Sequence, residues 1–378
     1  MDTADIKKQI KEIEDEIFNT QKNKATEHHI GKLKAKIARL REELEKRKSA
    51  GGKGVGFTIK KQGDATITLI GFPSIGKSTL LNQITAADSE VGSYDFTTLD
   101  VIPGMMKYKG ASIQIFDLPG LISGAHEGKG RGREIISAVR NADLVLFMID
   151  AQHRDHLDLM TAELYKSGLR LNEKEPDVVI NKKGQGGITV ASPINLSHLD
   201  EKLIKSIASE YLTNADIIIR EDITEDQLID VLIGNRYYIP ALVVLNKIDL
   251  IGKEELSKKK KYISDQGWDV IAISASENIG LDKLQEKIFS KLNLIRVYMK
   301  PVGKKADFSE PLILRRGDTI EDACKKLHRD FKRKFRYAYV TGPSAKHEMQ
   351  KAGLDHKLKD EDILDIARIR TKQVEVFK

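Results

Sequence analysis

The ways in which this chain can fold are limited first by a glycine-rich loop near residue 70. The segment Gly71-Phe72-Pro73-Ser74-Ile75-Gly76-Lys77-Ser78 fits the pattern G-x-x-x-x-G-K-[ST]. An apolar run at 67–70 precedes it, and a helix-like stretch at 79–84 follows it. Between a strand and a helix, the N–H groups of such a loop and the helix N-terminus surround phosphate oxygens. The sequence therefore predicts a phosphate-binding loop at the end of a buried strand.

The residue types in this loop predict how a nucleotide is held. Lys77 is expected to reach the β- and γ-phosphates, and the Ser78 hydroxyl is expected to ligate Mg²⁺. The remaining phosphate contacts of the loop are expected from Pro73, Ser74, Ile75, Gly76 and Thr79. A glycine-rich turn without a ligand has no need of a lysine followed by a serine, so the pattern favours a nucleotide site over a plain turn.

Two downstream segments supply the residues expected around the γ-phosphate. Asp117-Leu118-Pro119-Gly120 ends an apolar run, which would place the Asp117 carboxylate towards Mg²⁺ and the Gly120 N–H towards the γ-phosphate. Tyr94-Asp95-Phe96-Thr97-Thr98-Leu99 lies between this segment and the loop. We expect Thr98 to ligate Mg²⁺ when the γ-phosphate is present, with Thr97 as the alternative and an ordinary strand as the competing interpretation. The predicted metal ligands are Ser78, Thr98 and Asp117, and the residues predicted to act on the γ-phosphate are Lys77, Thr98 and Gly120.

A third segment predicts which base is bound. Asn246-Lys247-Ile248-Asp249 ends the apolar run 241–245. The Asp249 carboxylate can accept two N–H bonds from guanine that adenine cannot offer, which favours GTP over ATP. Asn181-Lys182-Lys183-Gly184 is similar but lacks the carboxylate, and we interpret it as a turn. Ser274-Ala275-Ser276, after the run 270–273, is expected to contact the guanine oxygen through a backbone N–H near Ala275.

Composition limits the class of protein. The chain has 378 residues, 40% of them hydrophobic and 31% charged, and a net charge of +7 that favours polyanionic partners. Its longest apolar runs are too short for a membrane span, and its charged N-terminus lacks the apolar core of a signal peptide. The single cysteine, Cys324, excludes an intramolecular disulfide and is expected to be a packed thiol. Together these features predict a cytoplasmic protein.

Periodicity predicts the arrangement of elements. From about residue 65, short apolar runs alternate with helical patterns, which indicates βαβ units and a mainly parallel sheet. Residues 4–48 have the pattern of two helices with a break at 19–27, and the Gly-rich segment 51–56 is predicted to be a linker. Whether the two helices bind nucleic acid, bind a protein or pack on the core is left open. The predicted strands of this sheet are 66–70, 112–116, 144–149, 241–245 and 270–273. After residue 294 a new pattern predicts strands at 296–299 and 311–314, a helix at 319–331 and a strand at 336–340.

Taken together, these motifs resemble those of the Obg-related GTPases and, more closely, of the developmentally regulated GTP-binding proteins. The resemblance covers nearly the whole chain and implies a Mg²⁺-dependent switch that hydrolyses GTP to GDP and phosphate and is linked to ribosomes and translation. It is carried by the loops already described and by 22–29, 96–99 and 128–133.

The resemblance also implies the fold class and the domains. The expected fold is α/β: a P-loop GTPase domain with a mainly parallel sheet, an N-terminal helical hairpin, an inserted small domain like ribosomal protein S5, and a C-terminal β-grasp (TGS) domain. The family associates the TGS domain with ribosome or RNA contact. Basic residues around its predicted helix, 319–331, would contact phosphates or form a solvated face: Lys325, Lys326, Arg329, Lys332, Arg333, Lys334 and Arg336. The expected boundaries are 1–60, 61–168, 169–236, 237–293 and 294–378.

One position departs from the usual GTPase pattern. Many GTPases have a water-positioning glutamine after Asp-x-x-Gly, where this chain has Leu121. Related GTPases use K⁺ that is held by an asparagine of the phosphate loop. Ser74 occupies that position here, so the sequence leaves open whether K⁺ accelerates GTP hydrolysis. A partner protein could also raise the rate of hydrolysis, as could the local side chains of His126, Arg131 and Arg133. The competing interpretation of the two arginines is that they form structural salt bridges. The alternative function is a nucleotide-stabilised RNA- or ribosome-binding scaffold with little hydrolysis of its own.

Overall fold

The computed structural model describes residues 3–21, 23, 26–50, 61–85, 102–118, 132–152, 157–301 and 304–368. The chain divides into two compact units. The first contains 1–57 and 168–238, and the second contains 58–167 and 239–378. Several sequence predictions fall outside the described residues: the linker 51–56, Thr97, Thr98, Gly120, Leu121, His126, Arg131 and the side chain of Arg133.

Helices and strands alternate through most of the described chain. The helices are α1 (Thr3–Asn19), α2 (Glu27–Ala50), α3 (Lys77–Ile84), α4 (Gly132–Arg140), α5 (Leu157–Lys166), α6 (Glu201–Ala208), α7 (Glu225–Ile233), α8 (Lys253–Asp265), α9 (Leu281–Lys291), α10 (Ile320–Leu327) and α11 (Arg329–Arg333). The strands are β1 (Ala65–Ile70), β2 (Ile102–Tyr108), β3 (Ala111–Asp117), β4 (Leu144–Asp150), β5 (Leu169–Leu171), β6 (Val178–Lys182), β7 (Ile188–Ala191), β8 (Ala215–Ile219), β9 (Tyr237–Ile239), β10 (Ala241–Asn246), β11 (Val270–Ala272), β12 (Leu294–Met299), β13 (Leu312–Arg315), β14 (Phe335–Thr341), β15 (Gln350–Ala352) and β16 (Asp362–Arg368).

A six-stranded sheet forms the centre of the second unit. Its order is β11-β10-β4-β1-β3-β2, and only the edge strand β2 is antiparallel to its neighbour. The residues of β1, β4 and β10 are all buried, as expected for parallel strands covered on both faces. The five predicted strands are confirmed. The sequence prediction missed β2 because Pro103 and Gly104 interrupt its apolar pattern, and an edge strand is where proline is tolerated.

The first unit joins the N-terminal helices to the segment 168–238. Helices α1 and α2 pack through the buried side chains Ile6, Ile13, Leu33, Ile37 and Leu40. Ala35 of α2 belongs to a second core that includes residues of α6, α7 and β8. The open question about these helices is therefore answered in part, since α2 packs on the inserted segment.

A three-stranded sheet, β6-β8-β7, completes the inserted segment. The prediction of a turn at 181–184 was wrong for its first half. Asn181 and Lys182 end β6, where they pair with Asp216 and Ala215 of β8. The strand continues from the apolar run 178–180 into these polar residues because the antiparallel ladder with β8 continues as far as Lys182.

The C-terminal part of the second unit is a five-stranded mixed sheet, β13-β12-β16-β14-β15. The predicted strands near 296–299, 311–314 and 336–340 are confirmed, whereas β15 and β16 were missed. One face packs on α10 around Ala338, Val340 and the buried thiol of Cys324, as predicted for that cysteine. The helix expected at 319–331 ends at Leu327, because the extended backbone of His328 separates α10 from α11.

Candidate functional site

The glycine-rich loop lies between β1 and α3, at the carboxyl end of the parallel sheet. Gly76 has a φ of 91°, and a Cβ placed on it would lie 2.6 Å from Nδ2 of Asn246. A Cβ on Gly71 would lie 2.5 Å from the carbonyl oxygen of Met148 on the neighbouring strand. Both positions therefore require glycine, because the loop must turn sharply and pass close to the strand ends.

The side chains of the loop divide into anchors and exposed groups. Ile75 is buried in the core of the unit. Nζ of Lys77 donates hydrogen bonds to the carbonyl oxygens of Gly71 and Phe72, each at 3.0 Å, and these bonds place the ammonium group inside the loop. The exposed residues of the loop and of the first turn of α3 are Pro73, Ser74, Ser78 and Thr79.

Asn246 connects this loop to the segment expected near the guanine oxygen. Its Nδ2 donates to the carbonyl oxygen of Ile75 at 2.8 Å, and its Oδ1 accepts from the N–H of Ala275 at 3.0 Å. The hydroxyl groups of Ser274 and Ser276 lie 3.1 Å apart in that segment. The structure thus brings three segments that are far apart in sequence to one edge of the sheet.

Lys247 makes a second connection, through a residue that sequence reasoning missed. Its Nζ donates to the carbonyl oxygen of Ser74 at 2.9 Å and to Oδ2 of Asp150 at 2.8 Å. Asp150 is the last residue of β4, opposite Asn246 in the parallel ladder, and its Oδ1 accepts from the N–H of Gln152 at 2.8 Å. The sequence feature that could have identified Asp150 is a carboxylate at the end of the apolar run 144–149.

Asp249 lies at the rim of the same edge, in a short 3₁₀ helix at Ile248–Leu250. Its side chain is exposed, and no partner for its carboxylate is found within the described part of the chain. Lys247 precedes the 3₁₀ helix with a positive φ of 63°, so the backbone turns sharply where β10 ends. A carboxylate held on such a turn is free to accept two N–H bonds from a ligand.

Asp117 ends β3 and is only 6% exposed. Its Oδ1 has no hydrogen-bond partner among the described residues. Burial raises the pKa of Asp117, while the nearby Lys77 ammonium acts in the opposite direction. A buried carboxylate oxygen that has no partner among the described residues, beside the Lys77 ammonium, fits the oxygen ligands that Mg²⁺ prefers.

Family models match three consecutive parts of the chain. Residues 66–182 match a model described as a 50S ribosome-binding GTPase, residues 185–294 match the C-terminal region of that domain, and residues 295–367 match the TGS domain.

Curated relatives match along almost the whole chain. An uncharacterised GTP-binding protein of Methanocaldococcus jannaschii is 55% identical over 97% of this chain and 93% of its own length. The developmentally regulated GTP-binding protein 1 homologue of Dictyostelium discoideum is 47% identical, with 95% and 98% covered. The human developmentally regulated GTP-binding protein 2 is 44% identical, with 96% and 99% covered. The chain belongs to the developmentally regulated GTP-binding protein family.

Membership of this family makes the chain a GTP-binding GTPase. Of the predicted site residues, the structure describes those of the phosphate loop, Asp117, the 246–249 segment and the 274–276 segment. Thr98 and Gly120 lie outside the described residues. The sequence motifs of the family did not identify Asp150, whose carboxylate accepts a hydrogen bond from Lys247 beside the phosphate loop.

Proposed function

We propose that this chain hydrolyses GTP to GDP and phosphate in a Mg²⁺-dependent reaction and acts as a switch whose partner is the ribosome. The observation that carries the metal dependence is the buried, unpartnered Oδ1 of Asp117. Ser78 and Thr98 are the other protein groups proposed to hold the ion. When bound, Mg²⁺ neutralises charge on the β- and γ-phosphates.

The residues of the chain are proposed to act mainly by positioning and charge. The Lys77 ammonium, already directed into the loop by two carbonyl groups, stabilises charge that develops on the β- and γ-phosphate oxygens. The Gly120 N–H orients the γ-phosphate. Asp249 fixes the guanine ring, and Asn246 and Lys247 hold the base segment and the phosphate loop in one arrangement.

Leu121 supports the proposal that the rate of GTP hydrolysis depends on a group supplied by a partner or by an ion. A leucine side chain cannot hydrogen-bond the attacking water, so intrinsic hydrolysis should be slow. A supplied arginine is worth roughly 10³–10⁵ in rate in other GTPases, which is the scale expected for an activating partner. A K⁺ ion near Ser74 is the other proposed source of rate.

Steady-state GTP hydrolysis, with and without purified ribosomes, tests this function. Rates are measured in K⁺ and in Na⁺ buffer, with Mg²⁺ or EDTA, and Lys77→Ala is the control for contaminating activity. We expect Mg²⁺-dependent turnover that rises on addition of ribosomes. Faster hydrolysis in K⁺ than in Na⁺ buffer, without ribosomes, would show that the ion accelerates the reaction. If ribosomes do not change the rate, they are not the activating partner.

Ribosome or RNA contact is proposed to involve the TGS domain and the N-terminal helices. The description of the matched family as 50S ribosome-binding supports this proposal. The basic cluster on the TGS helices supports it less well than the sequence suggested. Lys325 and Lys332 pair with Glu321, Lys326 pairs with Asp64, and Arg333 pairs with Asp330, so these cations are already partly neutralised.

A nucleotide-stabilised scaffold is the second candidate, and Leu121 is the feature that favours it. The two candidates differ in one measurement. A scaffold binds ribosomes equally well with GDP and with a non-hydrolysable GTP analogue, whereas a switch binds them differently. Co-sedimentation with ribosomes in the two nucleotide states therefore separates them.

A further inference from the structure

The TGS sheet has a second face that does not belong to its core. Ala338 and Val340 of β14 point towards α10, so alternation along the strand directs Tyr337 and Tyr339 to the opposite side. The same alternation places residues of three neighbouring strands on that side. We call this set the tyrosine face: Tyr298, Tyr337, Tyr339, Lys351, Ile363 and Asp365.

The tyrosine face is aromatic and partly accessible to solvent, since its three tyrosines are half-buried and Lys351 is exposed. The rings of Tyr337 and Tyr339 meet edge to face with centroids 5.3 Å apart. At the other end of the face, Tyr298 lies 4.9 Å from the ring of Phe308, which is 63% exposed. These tyrosines do not belong to the core of the domain, and aromatic rings that keep part of their surface in contact with water are what a nucleobase stacks on.

Positive charge accompanies these rings. Nζ of Lys351 lies 4.5 Å from the Tyr337 ring centroid, and the Arg336 guanidinium carbon lies 5.7 Å from it. Within the described residues, neither cation has an ion-pair partner. Asp365, opposite Tyr339 on β16, is the one acidic member of the tyrosine face. With the neighbouring Arg336 counted, two cations and one carboxylate lie at these rings, a net charge of +1 that is complementary to a nucleotide chain.

The helix side of the same domain differs in this respect. Lys325, Lys326, Lys332 and Arg333 are paired with acidic neighbours, among them Glu321, which pairs with both Lys325 and Lys332. Among the described residues of this side no aromatic ring is exposed, since Phe331 packs against the core. Phosphate contacts alone would suit a duplex, whereas rings together with cations suit unpaired bases.

We propose that the tyrosine face binds a single-stranded segment of RNA, with bases stacked on Tyr337 and Tyr339 and with phosphates near Lys351 and Arg336. This inference rests on the proposed RNA contact of the TGS domain and names its surface and the form of RNA. It assigns the contact to the open side of the sheet, away from the basic helices.

The test is fluorescence anisotropy with the full chain and labelled oligoadenylate of about ten nucleotides, alone or annealed to oligouridylate. We expect the single strand to bind and the duplex to bind much more weakly. Tyr337→Ala and Tyr339→Ala should each weaken binding by about 5- to 100-fold, the usual effect of one lost stack. Tyr339→Phe keeps the ring and should bind within about twofold of the original chain.

Two charge variants make the test independent of folding defects. Asp365→Asn should tighten binding by a few-fold at low salt and less at high salt, an effect that disruption of the sheet cannot produce. Lys325→Ala, on the helix side, is the matched control and should leave binding unchanged. GTP hydrolysis by each variant, whose substitution is remote from the nucleotide site, checks that the chain is folded.

The outcomes separate this inference from the function on which it rests. Unchanged binding of the tyrosine variants, equal binding of the duplex, or a loss confined to Lys325→Ala would overturn the tyrosine face as the RNA site. If the original chain sediments with ribosomes but binds no oligoadenylate, the inference fails and the ribosome proposal stands. If it binds neither, both fail. If Tyr339→Ala abolishes sedimentation without any oligoadenylate binding, the face binds a ribosomal protein, and the RNA proposal is overturned.

Discussion

At the scale of single residues, Asp117 shows a conflict between stability and the proposed chemistry. An unpartnered polar atom in a protein interior costs about 1–3 kcal/mol, and Oδ1 of Asp117 is such an atom within the described structure. Its raised pKa has the same origin, because burial opposes the charged form. A position that destabilises the empty protein and fits a cation is typical of a binding site.

Substitution Asp117→Asn is expected to stabilise the nucleotide-free chain by about 2 °C in melting temperature at pH 7.5. A group whose pKa is raised by folding favours the folded state only at low pH and loses that contribution as the pH rises through its folded pKa. The gain should therefore shrink as the pH falls towards the ordinary carboxyl pKa near 4. Thermal unfolding in EDTA measures it, and a lower melting temperature for the variant at both pH values would contradict the prediction.

The same substitution should remove the effect of Mg²⁺ on nucleotide release. In the original chain, Mg²⁺ should slow dissociation of a fluorescent GDP analogue, whereas in Asp117→Asn the rates with Mg²⁺ and with EDTA should converge. The stability measurement without nucleotide is the control that the variant is folded. Equal Mg²⁺ sensitivity of both proteins would exclude Asp117 from the metal site.

Asp249→Asn is expected to change the base that is bound. Two charge-assisted hydrogen bonds contribute about 1.5–3 kcal/mol each, so GTP affinity should fall by at least about 10²-fold. An asparagine amide can donate to the 2-oxygen of xanthine and accept from its N1–H, so xanthosine triphosphate should bind better than GTP. Competition against a fluorescent guanine nucleotide measures both affinities. Retention of GTP preference by the variant would show that Asp249 does not contact the base.

At the scale of elements, the site is a set of loops held together at the carboxyl ends of parallel strands. The phosphate loop follows β1, Asp117 ends β3, Asp150 ends β4 and Asn246 ends β10. The loops contact each other through Asn246 and Lys247, and so the arrangement depends on close approach of backbone atoms at Gly76.

Gly76→Ala is therefore expected to weaken nucleotide binding roughly tenfold or more, since its positive φ and the clash with Asn246 strain the loop by about 1–3 kcal/mol. Asn246 cannot simply move aside, because it is buried and hydrogen-bonded to two segments. The matched control is Gly252→Ala, where a Cβ meets nothing within 4 Å. Titration with a fluorescent GDP analogue gives both affinities, and equal losses for the two variants would contradict the argument.

Long apolar runs made the parallel strands and their loops predictable from the sequence. The chemistry of the phosphate loop and of Asp249 was also readable, because residue type and spacing carry it. Asp150 was missed since a lone carboxylate after a strand has the same pattern as the start of a turn. The half-exposed strand β16 was missed because its open face carries Asp365 beside apolar residues, which weakens the alternation.

At the scale of the second unit, two ion pairs connect the TGS domain to the opposite end of the GTPase sheet. Lys326 pairs with Asp64 at 2.6 Å, and Arg315 pairs with Asp143 at 2.7 Å. Asp64 directly precedes β1 and Asp143 directly precedes β4, so both lie at the amino ends of these strands. Such pairs between residues distant in sequence follow from tertiary packing and could not be predicted from local pattern.

Arg315→Ala should lower the melting temperature by about 2–4 °C at pH 7, the shift expected for about 1 kcal/mol. Burial alone would raise the pKa of Asp143, but hydrogen bonds from Arg315 and the Thr66 N–H, with the charges of Arg315 and Lys61, hold it below its ordinary value. A lowered pKa stabilises the fold above the unfolded value near 4, and this contribution is lost as the pH falls further.

The difference between the Arg315→Ala variant and the original chain should therefore be full at pH 7, decline as the pH falls below about 4, and vanish only below the lowered pKa of Asp143. Arg316→Ala is the matched control, because the adjacent Arg316 is exposed and makes no ion pair within the described residues. A difference that is the same at every pH would mean that Arg315 contributes through packing alone.

The position of Asp64 has a consequence for communication between ligands. A single strand, β1, separates it from the phosphate loop, and its six residues span about 20 Å. A nucleotide at one end of this strand and an RNA segment on the TGS domain would therefore not touch, and each would affect the other only through the intervening sheet. Such coupling is reciprocal. The factor by which GTP changes RNA affinity must equal the factor by which RNA changes GTP affinity, and two separate titrations must return the same number.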